Sequence, residues 1–209
     1  VVEFSPNTTY LITSGLTVDV SVCRGIIGNG AYIKRDSASA FTAITFNGGK
    51  TASGADPANS DNQTMSTTEM IPVVRDLTIY TESDSGTGTG IVINDCFGLH
   101  LHACNLTDLE NGVEFTGINR NCVLTENHIW DIAGYAIYGG SGLNMHQTII
   151  NDNHISYCLK GIYFDQGDIA NLVINGNDIE NKATTYVGTT SALIHLVSGT
   201  GNVRQINIV

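Results

Sequence analysis

The 209-residue sequence predicts an all-β protein, a three-faced solenoid of parallel strands with coils of about 23–27 residues, and three observations lead there. The stretch "TENHIWDIAGYAIYG" (125–139) is followed by "NDNHISYCLKGIYFD" (151–165), nearly the same text again. Inside each copy apolar and polar residues alternate with period 2 and β-branched residues are frequent, which marks strands rather than helices. Between the segments lie Gly, Asn and Asp, the residues that turns require. A repeat of this length whose units cannot bury their apolar side alone stacks into one continuous core.

Each element follows from extending that repeat. One inward marker runs Ile79, Leu106, Ile129, Ile155, Ile179, with spacings of 27, 23, 26 and 24 residues. A second, placed after a small residue, runs Ile91, Val113, Ile137, Ile162, with a looser match at Leu193. The third segment carries the inward pairs Leu99/Leu101, Cys122/Leu124, Thr148/Ile150 and Leu172/Ile174. Asn127, Asn153 and Asn177 recur two residues before the first marker, where stacked amides can hydrogen-bond from coil to coil. One domain is expected over 1–209: N-terminal coils in 1–46, a long polar loop in 47–70 poor in large apolar residues, and regular coils in 71–209. The chain opens on Val1 and closes in strand-like sequence, and is expected to be a fragment of a longer protein.

Composition narrows the partners. Acidic residues outnumber basic ones by 20 to 9 and no Lys/Arg run occurs, so the footprint of a nucleic-acid binder is missing. No apolar run reaches the ~18 residues of a membrane span, so no membrane insertion is expected. The five cysteines lack Cys-x-x-Cys spacing and read as reduced, buried small hydrophobes.

These coils, with "YLITSGLTVDVSVCRGIIGNGAYI" ahead of them, resemble the right-handed parallel β-helix of pectin-lyase-like proteins, and more specifically bacteriophage tailspikes. The resemblance implies a polysaccharide depolymerase in a virion tail, a homotrimer acting outside the host cell on a surface polysaccharide such as O-antigen or capsule. It implies no cofactor. Tailspike hydrolases often use an Asp-x-x-Asp pair with a Glu nearby, and "DQGD" (165–168) is such a pair.

Parity sorts the outward side chains. On the second face it exposes Glu114, Tyr138, Tyr163 and Asp165, with Asp168 one turn on. Glycoside hydrolysis needs one carboxyl group as acid and another as base or nucleophile, and aromatic rings give a sugar its stacking surface. Asp165, Glu114 and Asp168 are therefore the catalytic candidates, with Tyr138 and Tyr163 as substrate-binding residues. Stacked coils place Glu114 and Asp165 roughly 10 to 12 Å apart before side-chain reach is counted. A rival site lies on the first face, where Trp130, Asp131, His128 and His154 are also candidates for substrate binding. The two histidines lack a third ligand, so stacked polar side chains account for them and no metal is expected. On the third face Val123, Ile149 and Val173 form an outward apolar stripe that suits a subunit interface. Two other functions fit the same pattern. A uronate lyase would need a cation, for which Arg120 and Lys160 are the candidates, and a non-catalytic glycan-binding or structural β-helix would need neither.

Overall fold

The computed structural model describes residues 1–36, 39–49, 72–82, 87–181, 193–197 and 202–209. Every described regular element is a strand, every pairing is parallel, and the coils wind as a right-handed β-helix of about six turns. No helix among the described residues is long and apolar enough to cross a membrane. The core forms because each strand pairs with its equivalent in the next coil. Ile33, Ile79, Leu106, Ile129 and Ile155 stand in one inward column, all fully buried, and Ile179 continues it. Ile44, Ile91, Val113, Ile137 and Ile162 form the second column. Its next member is Ile194 rather than Leu193, which lies one residue out of register and is 40% exposed. Val74, Leu101, Leu124, Ile150 and Ile174 form the third.

The asparagine column is a working ladder. Asn127 donates to Asn153 Oδ1 from its backbone N (3.0 Å) and from Nδ2 (2.9 Å), and Asn153 donates in the same two ways to Asn177 Oδ1 (3.0 and 2.9 Å). Cys104 N extends it one coil back by donating to Asn127 Oδ1 at 3.0 Å. Asn127 and Asn153 are almost wholly buried, so these bonds satisfy backbone groups that the turn removes from water.

Four of the coils also hold a short strand beyond the three segments read from the sequence. Ile118–Arg120, Asn144–His146, Asp168–Ala170 and Val203–Arg204 make a separate four-stranded sheet. In the first of them the two buried residues, Asn119 and Arg120, are both polar, so no hydrophobic alternation announces it. The corners are fixed by left-handed residues in columns. Asp108, Asp131 and Tyr157, with φ of 52–55°, separate the first face from the second, Asp76, Ala103, Glu126 and Asp152 turn the third face into the first, and Asn121, Gln147 and Asn171 follow the short sheet. The Asp and Asn side chains tolerate this region better than most. Residues 50–70 of the expected polar loop lie outside the described residues. No disulfide joins the five cysteines, and four of them are buried.

One core position bears on the site above it. In the column Phe115–Gly139–Phe164, the missing side chain at Gly139 lets the two phenylalanine rings meet edge to face, with centroids 6.2 Å apart. A Cβ at Gly139 would lie 2.8 Å from the Phe164 ring and 2.5 Å from Leu143 Cδ2. The strand that carries Tyr138 is therefore held close over an aromatic core.

Candidate functional site

Register places Val92, Glu114, Tyr138, Tyr163 and His195 in a single outward column on the second face. A neighbouring outward column holds Thr89, Asn111, Tyr135 and Lys160. A one-residue bulge brings the two together: between Ile132 and Tyr135 the strand His128–Gly139 has one more residue than the strands on either side of it. Bulges turn a side chain out of the regular pleat. Here the Tyr135 ring stacks on Tyr138 at 4.4 Å and meets Tyr163 at 5.0 Å. Lys160 Nζ donates to Tyr135 Oη at 3.1 Å and sits 4.6 and 4.4 Å from the Tyr135 and Tyr163 ring centres. His195 completes the ramp by stacking on Tyr163 at 4.0 Å with planes 4° apart.

Glu114 lies at one end of this aromatic surface. Burial raises its pKa above the ordinary carboxylate value, and the Thr89 hydroxyl, donating to Oε2 at 3.5 Å, opposes that only in part. Asn111 Nδ2 donates in turn to Thr89 Oγ1 (3.5 Å), while its Oδ1 accepts from Tyr135 N (3.1 Å), so the bulge also orients the groups beneath Glu114. The Tyr138 hydroxyl hangs over Gly140, where a Cβ would come within 2.4 Å of it. Asp165 follows Phe164, the partner of Gly139, and so lies beside Gly140 on the next coil. Burial first, then Tyr135, Glu114 and Asp165, raise the Tyr138 pKa, which places its hydroxyl in the field of both carboxyl groups.

The structure thus brings together Glu114, Tyr138, Tyr163 and Asp165. It does not bring Asp168 to them: that residue lies round the corner on the short sheet, paired with Asn144, with a buried Oδ1 that has no protein partner. Arg120 is also on the short sheet and buried, paired with His146, whereas Lys160 is on the Glu114 face. Tyr135, His195, Asn111 and Thr89 were not singled out by sequence reasoning.

The first face is more regular. His128 and His154 stack at 4.7 Å with planes 5° apart, and burial, then His154, lowers the His128 pKa. Trp130 stacks on His128 at 5.6 Å and donates from Nε1 to Asn105 Oδ1 at 2.9 Å. Its coil neighbour Ser156 has outward parity yet is only 3% exposed. Asp131 occupies the left-handed corner, φ 52°. On the third face Val123, Ile149 and Val173 share one column, with Ile149 39% exposed.

Residues 11–202 match the family described as Periplasmic copper-binding protein (NosD). The chain belongs to the NosD family. NosD proteins form a right-handed β-helix family, in agreement with the coils described above. No curated protein matches the sequence.

Proposed function

We propose that this NosD-family chain binds a bacterial surface polysaccharide along its second face and hydrolyses a glycosidic bond there, as the tailspike depolymerases it resembles do. The observation that carries this reading is Glu114: a carboxyl group whose pKa burial raises, at the edge of a ramp of Tyr138, Tyr163 and His195, with Asp165 on the far side of Tyr138. In the proposed reaction Glu114 gives its proton to the leaving glycosidic oxygen as the bond to the anomeric carbon breaks. A water attacks that carbon and Asp165 takes the proton released. The tyrosines hold the sugar ring through stacking. In this reading the protein acts at the host cell surface from a virion tail, as a homotrimer whose neighbouring copies cover the Val123–Ile149–Val173 stripe.

The family's description raises copper as the second reading, and the described residues do not fit a copper centre. Such a centre needs soft sulfur or imidazole donors that converge. Cys96, Cys104, Cys122 and Cys158 are buried, and burial pushes the Cys104 and Cys158 thiols up to about 12, against the thiolate that a metal requires. The stacked His128 and His154 rings are nearly parallel, so their in-plane nitrogen lone pairs run side by side. Among the described residues no three His, Cys, Asp or Glu side chains cluster as a metal site.

The test is release of reducing ends from candidate host polysaccharides. Glu114→Gln and Asp165→Asn should each lower kcat by a factor on the order of 10²–10⁴ while binding survives. Full activity in both variants would overturn the assignment. A product with new ultraviolet absorbance from an unsaturated uronate would replace hydrolysis by elimination, with Lys160, which lies on the same face, as the cation. Tight binding without products would leave a glycan-binding module.

A further inference from the structure

The first face holds a cleft of about 310 Å³, lined by Thr9, Tyr32, Thr78, Tyr80, Asn105 and Thr107, and the catalytic reading makes no use of it. Its volume is at the lower end of small-ligand sites. Tyr32 and Tyr80 meet edge to face with centroids 6.4 Å apart, and Tyr32 is 42% exposed. Hydroxyl groups and one amide make up the rest of the lining. The orientation of that amide is set by Trp130: the indole N–H can only donate, so the atom 2.9 Å away must be the Asn105 oxygen. Asn105 Nδ2 is left to donate, and no hydrogen bond from it to a protein group is found among the described residues.

We propose that this cleft is a non-catalytic binding site for a neutral sugar unit. A pyranose ring has an apolar C–H face and a rim of hydroxyls that both donate and accept. The first matches the Tyr32/Tyr80 wall. The second matches the Asn105 amide and the threonine hydroxyls of Thr9 and Thr78. No charged side chain lines the cleft. Lys34, the coil neighbour of Tyr80, is bonded to Glu82. An acidic sugar would therefore surrender its hydration without gaining a partner, which selects for an uncharged unit. With no carboxyl group in the lining, the cleft binds and does not cleave. The site is independent of the Glu114 face, which lies beyond the corner at Asp108 and Asp131.

Trp130, the single tryptophan, reports on the site through its bond to Asn105. Maltotriose, cellotriose and mannotriose, titrated separately into the protein with excitation at the indole band, should include at least one that gives a saturable change. Tyr32→Ala, at an exposed position, and Asn105→Asp, which keeps the acceptor for Trp130 but removes the donor, should each weaken that binding at least tenfold. Tyr163→Ala, which removes a stacking ring from the second face, should leave this response unchanged. Circular dichroism confirms that the variants keep the coil. The proposal is overturned if none of the three sugars gives a saturable response, if Tyr32→Ala and Asn105→Asp bind as tightly as the parent, or if a triglucuronate binds as tightly as the best neutral sugar. Loss of binding in Tyr163→Ala would assign the response to the second face and overturn it equally.

Discussion

The first and second faces are built by the same three strands, Asn105–Thr116, His128–Gly139 and His154–Asp165, and they differ in how strictly one coil copies the next. On the first face His128 and His154 are close to translated copies, with planes 5° apart. Translation keeps equivalent atoms about 4.8 Å apart and pointing the same way. Such a surface can offer a row of rings or a shallow sugar cleft, but two translated side chains do not converge on one atom. On the second face one extra residue before Tyr135 breaks the translation in the middle coil. Tyr135 then leans onto Tyr138 and captures Lys160, and Asn111 is turned to order Thr89 beneath Glu114. In a solenoid, convergent chemistry requires a place where the repeat fails.

The most direct way to break this contrast is to remove the bulge. Deleting Ala133 restores the register shared by the flanking strands, and should lower kcat/KM for polysaccharide cleavage by about 100-fold, equivalent to about 2.7 kcal/mol, with Trp130 fluorescence unchanged. Cleavage at the parental rate would show that the bulge does not organise the site. The ladder supports both faces alike, which makes Asn153→Ala the control in stability. It should cost about 2–3 kcal/mol in denaturant unfolding, since it leaves the Asn127 donors without their acceptor and removes the bonds to Asn177 and to Leu124 O at 3.1 Å.

The pH dependence separates the faces without a mutation on the first. Because the folded-state pKa of Glu114 is raised by burial, its ionisation opposes folding. Any stability it confers is fully present below the ordinary carboxylate pKa and lost as pH rises through the raised folded value. The cleavage rate should fall over that same upper range as the general acid loses its proton. Sugar binding at Tyr32 and Tyr80 should stay flat there, and an alkaline limb that lies in the ordinary Glu range would remove Glu114 from the role of acid. The smallest effect is at the corner between the faces. Tyr157 holds φ 53° where the equivalent coils use Asp108 and Asp131. Tyr157→Gly should stabilise by about 0.5–1 kcal/mol through relief of left-handed strain, read as a higher Tm.

Much of this was legible beforehand. Ile129, Ile155 and Asn153 fell into their columns from spacing alone, because an inward residue and a turn amide must recur once per coil whatever surrounds them. The bulge also left a trace that was easily passed over. Between neighbouring coils the first marker advances by 23 and then 26 residues, while the second advances by 24 and then 25. That mismatch is the extra residue before Tyr135. The marker at Leu193 failed for a related reason: "SALIHL" offers apolar residues at adjacent positions, and only pairing with Ile162 selects Ile194. Asp168 shows the limit of counting along a strand, since two residues past Asp165 the chain turns onto the short sheet.

The sequence by itself determined the repeat, the inward columns, the ladder and the outward parity of Glu114, Tyr138 and Tyr163, because these depend on period 2 within a strand and on one pairing step between coils. The tertiary structure decided what parity cannot reach: the short sheet, the burial that raises the Glu114 pKa, the capture of Lys160 by two tyrosines, and the Tyr32–Tyr80 cleft. Each of these depends on side chains from coils some 25 residues or more apart in sequence meeting across a stack spaced by about 4.8 Å. Their contact is set by register, bulge and corner, which act between coils and leave little mark on any single one.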